Sequence, residues 1–147
     1  MATVAECAAL QIRGLDHIVL RCRDAEALVR FYCDVLGCTV EKWQDKIGLI
    51  QLRAGSNLID LVGIDGELGR MGGAAPGREG RNLDHFALRI EQLDADALRV
   101  HLRRHGVEMG EVKARYGAEG EGPSVYIADP EGNVIELKGP PGPVLQG

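Results

Sequence analysis

Two segments of this chain are written twice. Leu15-Asp16-His17-Ile18-Val19-Leu20 is answered by Leu83-Asp84-His85-Phe86-Ala87-Leu88, and Asn57-Leu58-Ile59-Asp60-Leu61 by Asn133-Val134-Ile135-Glu136-Leu137. A repeat this regular means one structural unit built twice, so each half must fold to the same topology and bury its apolar face against the other. Each half opens with a histidine in an apolar strand and closes with a carboxylate in an apolar strand. Two histidines and two carboxylates at matched positions are what a metal site on a pseudo-two-fold axis requires.

The first unit is expected over residues 15–63. An apolar, β-rich run at 15–22 reads as a strand. Asp24 is a suitable N-cap, residues 25–36 carry helical spacing through Leu28, Phe31, Tyr32 and Val35, and Gly37 is the expected stop. Three short strands follow at 38–44, 47–53 and 58–62. The second unit, 83–139, repeats this order: a strand at 83–90, a helix at 93–105 ended by Gly106, and strands at 107–114, 123–128 and 134–138. Asp129-Pro130-Glu131-Gly132-Asn133 is a tight turn, with proline presetting φ and glycine taking the positive φ. The fold class is therefore α+β, with two βαβββ modules in tandem forming a curved mixed sheet cup. Residues 1–14 read as an extension, 64–82 as a glycine-rich linker without core periodicity, and 140–147 as a frayed tail. The glycine-rich stretch 116–122 reads as a loop, either a mobile lid or a plain surface loop.

Strand parity places the four repeated residues. Alternate residues share a face, so His17 lies with Val19 and Arg21, Asp60 with Leu58 and Val62, His85 with Ala87 and Arg89, and Glu136 with Val134 and Lys138. A carboxylate in the middle of an apolar strand is costly unless it is paired or bound to a metal. Asp60 could pair with Arg21 or Arg53. A single divalent cation explains all four residues together, and two imidazoles with one or two carboxylates suit Ni²⁺, Co²⁺, Mn²⁺, Fe²⁺ or Zn²⁺. His17, His85 and Glu136 alone make a two-histidine-one-carboxylate triad. His101 and His105, among arginines on the second helix, read as solvent-face residues.

Composition narrows the alternatives. At 147 residues and net charge -5, with no run of lysine and arginine, the chain is a poor partner for nucleic acid or anionic membranes, and no apolar stretch is long enough to span a bilayer. The first ten residues carry no basic n-region, so no secretory signal is expected. Cys7, Cys22, Cys33 and Cys38 have neither zinc-knuckle nor disulfide-framework spacing and read as mostly buried free thiols in a reducing cytoplasm.

Four marks together resemble the vicinal oxygen chelate superfamily of glyoxalases, bleomycin-resistance proteins and extradiol dioxygenases. They are Leu15-Asp16-His17-Ile18, Phe31-Tyr32 followed by Val35-Leu36-Gly37, Leu83-Asp84-His85-Phe86, and the run from Asp129 to Leu137. The resemblance implies paired βαβββ modules around a metal-bearing cup, in a homodimer, with chelation of a small-molecule substrate through vicinal oxygens. His17, His85 and Glu136 match the family's ligand positions, and Asp60 falls where glyoxalase I enzymes carry glutamate and other members carry histidine, glutamine or no ligand. The implied activity is a glyoxalase I-like lyase or isomerase working through an enediolate. Glu136 or Asp60 is the catalytic base, glutathione or another thiol is an optional cosubstrate, and Arg21, Arg89, Tyr116, Tyr126 and Lys138 are candidates for substrate contact. Rival activities are an Fe or Mn extradiol ring-cleaving dioxygenase, a metal-dependent thiol transferase or epimerase, and a non-catalytic drug-binding cup.

Overall fold

The computed structural model describes residues 9–144. Cys7, most of the expected 1–14 extension and the end of the expected tail lie outside the described residues. The first module runs β1 (His17–Cys22), α1 (Ala25–Arg30), β2 (Thr39–Gln44), β3 (Leu49–Ala54) and β4 (Asn57–Gly63). The second runs β5 (Phe86–Arg89), α2 (Ala95–Arg104), β6 (Lys113–Gly117), β7 (Gly120–Ala128) and β8 (Val134–Lys138). Each module forms its own mixed sheet, in order β1-β4-β3-β2 and β5-β8-β7-β6. The first strand of each module lies parallel to the last, and the other pairings are antiparallel.

The helices start alike because their caps are alike. Asp24 accepts a hydrogen bond from Ala27 N at 3.0 Å and Asp94 from Ala97 N at 3.1 Å, satisfying an otherwise unpaired N–H in each first turn. The first helix differs from the continuous helix expected over 25–36. It is α-helical only to Arg30 and continues as a π-helix over Phe31–Val35, which Gly37 (φ 77°) closes. Phe31 and Tyr32 are both buried there, ring edge to ring face at 5.2 Å.

One apolar cluster joins the modules: Leu28, Phe31, Tyr32 and Leu61 of the first are continuous with Leu102, Val125, Ile135 and Leu137 of the second. Polar contacts close the same seam. Tyr32 donates its hydroxyl to Asp129 at 2.8 Å, and the Glu131 carboxylate accepts from Arg23 N and Asp24 N at 2.7 and 2.8 Å. His101 is half-buried and donates from Nε2 to Val35 O at 2.7 Å, so it belongs to the seam rather than to the solvent face. His105 is exposed.

Two other expectations are corrected, and the linker proves to hold a short turn. Residues 116–122 are no lid: Tyr116 pairs with Glu121 and Gly117 with Gly120, so β6 and β7 form a hairpin with Ala118 and Glu119 at its tip. The expected strand at 107–114 begins only at Lys113. The linker contains a 3₁₀ turn, Gly69–Gly72, pressed so closely on the end of β4 that a Cβ at Gly69 would meet Gly63 O at 1.8 Å.

Candidate metal centre

Each module brings its histidine and carboxylate together through the same register. Val19, two residues after His17, is opposite Asp60, and Ala87, two residues after His85, is opposite Glu136. His17 Nε2 lies 4.0 Å from Asp60 Oδ2, and His85 Nε2 lies 3.9 Å from Glu136 Oε1. Two donor atoms each about 2.1 Å from one divalent ion lie about 3 to 4 Å apart over the angles such ions adopt. Both pairs are therefore spaced as two ligands of one ion. Aspartate is one methylene shorter than glutamate, yet the two gaps agree within 0.1 Å.

The preceding aspartates fix how the imidazoles present themselves. His17 Nδ1 is 2.7 Å from Asp16 Oδ2 and His85 Nδ1 is 2.7 Å from Asp84 Oδ2. An ionised carboxylate only accepts, so Nδ1 carries a proton and Nε2 is the nitrogen that faces the partner carboxylate. The Asp16 hydrogen bond raises His17 above the ordinary imidazole value; desolvation opposes this, and the charges of Asp60 and Asp16 add to it. Sequence reasoning missed this role although the repeated Leu-Asp-His displayed it.

Both carboxylates are buried. Asp60 Oδ2 accepts a hydrogen bond from Gln51 at 3.3 Å, while Oδ1 is buried with no hydrogen-bond partner. Neither proposed ion-pair partner reaches it. Arg53 pairs with Glu41, and Arg21 spends its guanidinium on the carbonyls of Gly69, Gly73 and Ala74. A buried anionic oxygen without a donor costs several kcal/mol unless a cation reaches it, and a divalent ion beside His17 fits that requirement.

The second module carries more around its pair. Tyr126 is opposite Glu136, and its ring meets that of His85 edge to face at 5.2 Å. Desolvation, then a hydrogen bond to Glu136, raise the Tyr126 phenol. Arg115 stacks over the Tyr126 ring at 4.5 Å and donates from Nη1 to Ser124 O and Oγ at 2.8 and 2.9 Å. Arg89 pairs with Glu119 at 2.8 Å, Lys138 is buried on the face of Glu136, and Tyr116 is exposed at the hairpin. Gln51 and Ser124 were not legible as site residues, because only cross-strand register brings them there.

Among the described residues, no three His, Cys, Asp or Glu side chains converge. The two pairs are thus separate half-sites within one chain. β1 and β5 are edge strands of their sheets, and beside them Leu15 (79% exposed), Val19 (52%) and Leu83 (43%) are uncovered. No helix of the described residues is long and apolar enough to cross a membrane.

Comparison with known proteins agrees with this fold. The family model described as the Glyoxalase/Bleomycin resistance protein/Dioxygenase superfamily matches residues 14–137. The glyoxalase domain-containing protein RDO1 of Mycosarcoma maydis is 35% identical over 130 residues, 87% of this chain and 69% of that protein. The integron cassette protein VCH_CASS1 from V. cholerae superposes with TM-score 0.67 at 28% identity, covering 88% of this chain and 97% of that one. Virulence protein STM3117 from Salmonella typhimurium does so with TM-score 0.68 at 26% identity, covering 90% and 100%.

Proposed function

The chain belongs to the glyoxalase/bleomycin resistance protein/dioxygenase superfamily, and from that premise we propose that it is a metal-dependent lyase or isomerase of glyoxalase I type. Its substrate is an α-hydroxycarbonyl or thiohemiacetal-type small molecule, the latter formed with glutathione or another thiol. The doubled histidine–carboxylate pair, with one Asp60 oxygen left bare, carries this reading. His17, Asp60, His85 and Glu136 would hold one ion among Ni²⁺, Co²⁺, Mn²⁺, Fe²⁺ and Zn²⁺, which supplies Lewis acidity to vicinal oxygens and so acidifies the neighbouring C–H bond. Glu136 takes that proton and returns it to the adjacent carbon, with no net redox change. Asp84 orients His85, and Tyr126 keeps the Glu136 carboxylate directed into the cup.

The complete site is assembled from two copies of the chain. A two-fold dimer sets the first-module pair of one protomer against the second-module pair of the other, giving two equal sites and covering both edge strands with their exposed leucines and valine. One observation favours a second reading, the ring-cleaving dioxygenase: Tyr126 beside His85 supplies an acid in a chain whose other two histidines lie elsewhere.

Elemental analysis tests the metal and mixing tests the sharing. Wild type, stripped and offered each ion, takes up about one per site, and His85→Ala takes up none. When His17→Ala and His85→Ala proteins are mixed and exchanged, half the dimers are mixed and each regains one intact site, so about a quarter of wild-type metal returns. Metal retained by a diluted monomer overturns the shared site. Wild type that holds no metal overturns the enzyme reading and leaves a ligand-binding cup.

A further inference from the structure

A second group of metal-ligating side chains stands apart from the cup, at the end of α2. His101 and His105 are four residues apart, so they lie one above the other on the same face of the helix. Their rings are 4.8 Å apart between centroids and tilted by 59°. Imidazole nitrogens sit about 2.0–2.1 Å from a divalent ion, so with the ring radius added, two rings bound side by side place their centroids about 4.5 to 5 Å apart. The observed spacing falls in that range.

The backbone fixes which nitrogen of His101 is free. Val35 O lies 2.7 Å from its Nε2. A carbonyl only accepts, so Nε2 carries the proton and the neutral ring keeps its lone pair on Nδ1. A ligand imidazole is ordinarily steadied in this way, by a carbonyl on its other nitrogen. Here the support comes from the other module, because Val35 ends the π-helix of the first. His105 is the C-cap of α2, is exposed, and has no hydrogen-bond or ion-pair partner among the described residues.

The local field favours a cation at this point. The last carbonyls of a ten-residue helix gather the negative end of its dipole beside His105. Arg99 is paired with Asp96, and Arg103 and Arg104 are exposed, where solvent and salt screen their charge. Among the described residues no third His, Cys, Asp or Glu joins the pair, so water fills the remaining positions.

We propose that His101 and His105 form a second metal site, separate from the cup, for a divalent ion that prefers imidazole: Ni²⁺, Cu²⁺ or Zn²⁺ rather than Mg²⁺ or Ca²⁺. His101 binds through Nδ1 while Nε2 stays on Val35 O, so the ion sits at the seam and steadies the contact between modules. Two protein ligands hold an ion less firmly than four, so it is lost on desalting, and metal counts on desalted protein read the cup alone.

Full-length protein carrying His17→Ala and His85→Ala, in which the cup offers no histidine, is titrated calorimetrically with Ni²⁺, a probe that does not oxidise thiols. It binds about one Ni²⁺ per chain saturably, gives no heat with Mg²⁺, and melts at a higher temperature when Ni²⁺ is present. Adding His105→Ala weakens Ni²⁺ binding about tenfold or more. Adding His101→Gln does the same, although its amide can still donate to Val35 O and keep the seam bond. Circular dichroism melts without metal check that each variant folds. Equal Ni²⁺ binding with and without either further change, in folded protein, marks an adventitious ion only and overturns the site. Wild type gives a second readout should the cup variants fail to fold: the ring-proton signals of His101 and His105 broaden together as paramagnetic Ni²⁺ is added. Signals that stay sharp at saturating Ni²⁺ overturn the site as well. Neither result depends on whether the cup holds a metal.

Discussion

The two modules share a frame and differ in what surrounds their half-sites. In the first, the histidine–carboxylate pair is nearly bare: Gln51 touches Asp60, while the remaining cations of that face are tied to Glu41 or to linker carbonyls. In the second, the pair sits among Tyr126, Arg115, Ser124 and Lys138. The histidine–carboxylate gaps agree within 0.1 Å, so the two halves differ in what surrounds the pairs and not in their spacing. Under the proposed function the first half would hold metal only, and the second would hold metal and also move the proton.

That division can be broken most decisively at the carboxylates. Glu136→Gln lowers turnover about 10²- to 10⁴-fold, the range expected for loss of a general base, while leaving the melting temperature close to wild type. Steady-state assay on whichever α-hydroxycarbonyl or thiohemiacetal substrate the wild type accepts measures the loss. Asp60→Asn weakens metal binding, in the range of about 10- to 100-fold, yet turnover per bound metal stays near wild type. Equal losses per bound metal in the two variants would erase the distinction between the halves.

The seam between modules is asymmetric as well. The β3–β4 turn is two residues, Gly55 and Ser56, whereas the β7–β8 turn runs from Asp129 to Asn133 and reaches across to the first module. Tyr32→Phe removes the buried hydroxyl from Asp129 and destabilises the chain by about 1–3 kcal/mol in urea unfolding. The smallest effect concerns the thiols of the described residues, Cys22, Cys33 and Cys38, all in the first module. Burial pushes Cys22 up to about 12 and Cys38 up to about 11, and only the thiolate reacts. At pH 8 a thiol reagent therefore labels both only when the first module opens. Labelling at the rate of global unfolding shows the halves opening together, and faster labelling shows the first opening alone.

The duplicated frame was legible because strand parity and helical spacing are local, and so was the choice of His17, Asp60, His85 and Glu136 as matched residues; that they meet as two separate pairs, one per module, was not. Residues whose role depends on distant backbone were not. Arg21 reads as a substrate contact until the linker is seen wrapped on its guanidinium, and His101 reads as solvent-facing until Val35 O is found against it. The segment 116–122 reads as a loop because glycines signal turns. Here Gly117 makes room for Lys138 and Gly122 for the carbonyl of Pro140, so close packing rather than mobility explains them. The π-helical segment after Arg30 leaves no mark in the spacing of apolar residues.

The single core through both modules has an evolutionary consequence. A lone ancestral module would have exposed the apolar surface around Leu28, Tyr32, Ile135 and Leu137, which now fills one shared interior. With Glu131 capping the other module's helix and Tyr32 donating across the seam, each half has become part of its sibling's foundation. The duplication can no longer be undone by deletion: losing either copy would strip the survivor of its interior, so the two halves are inherited as one indivisible unit.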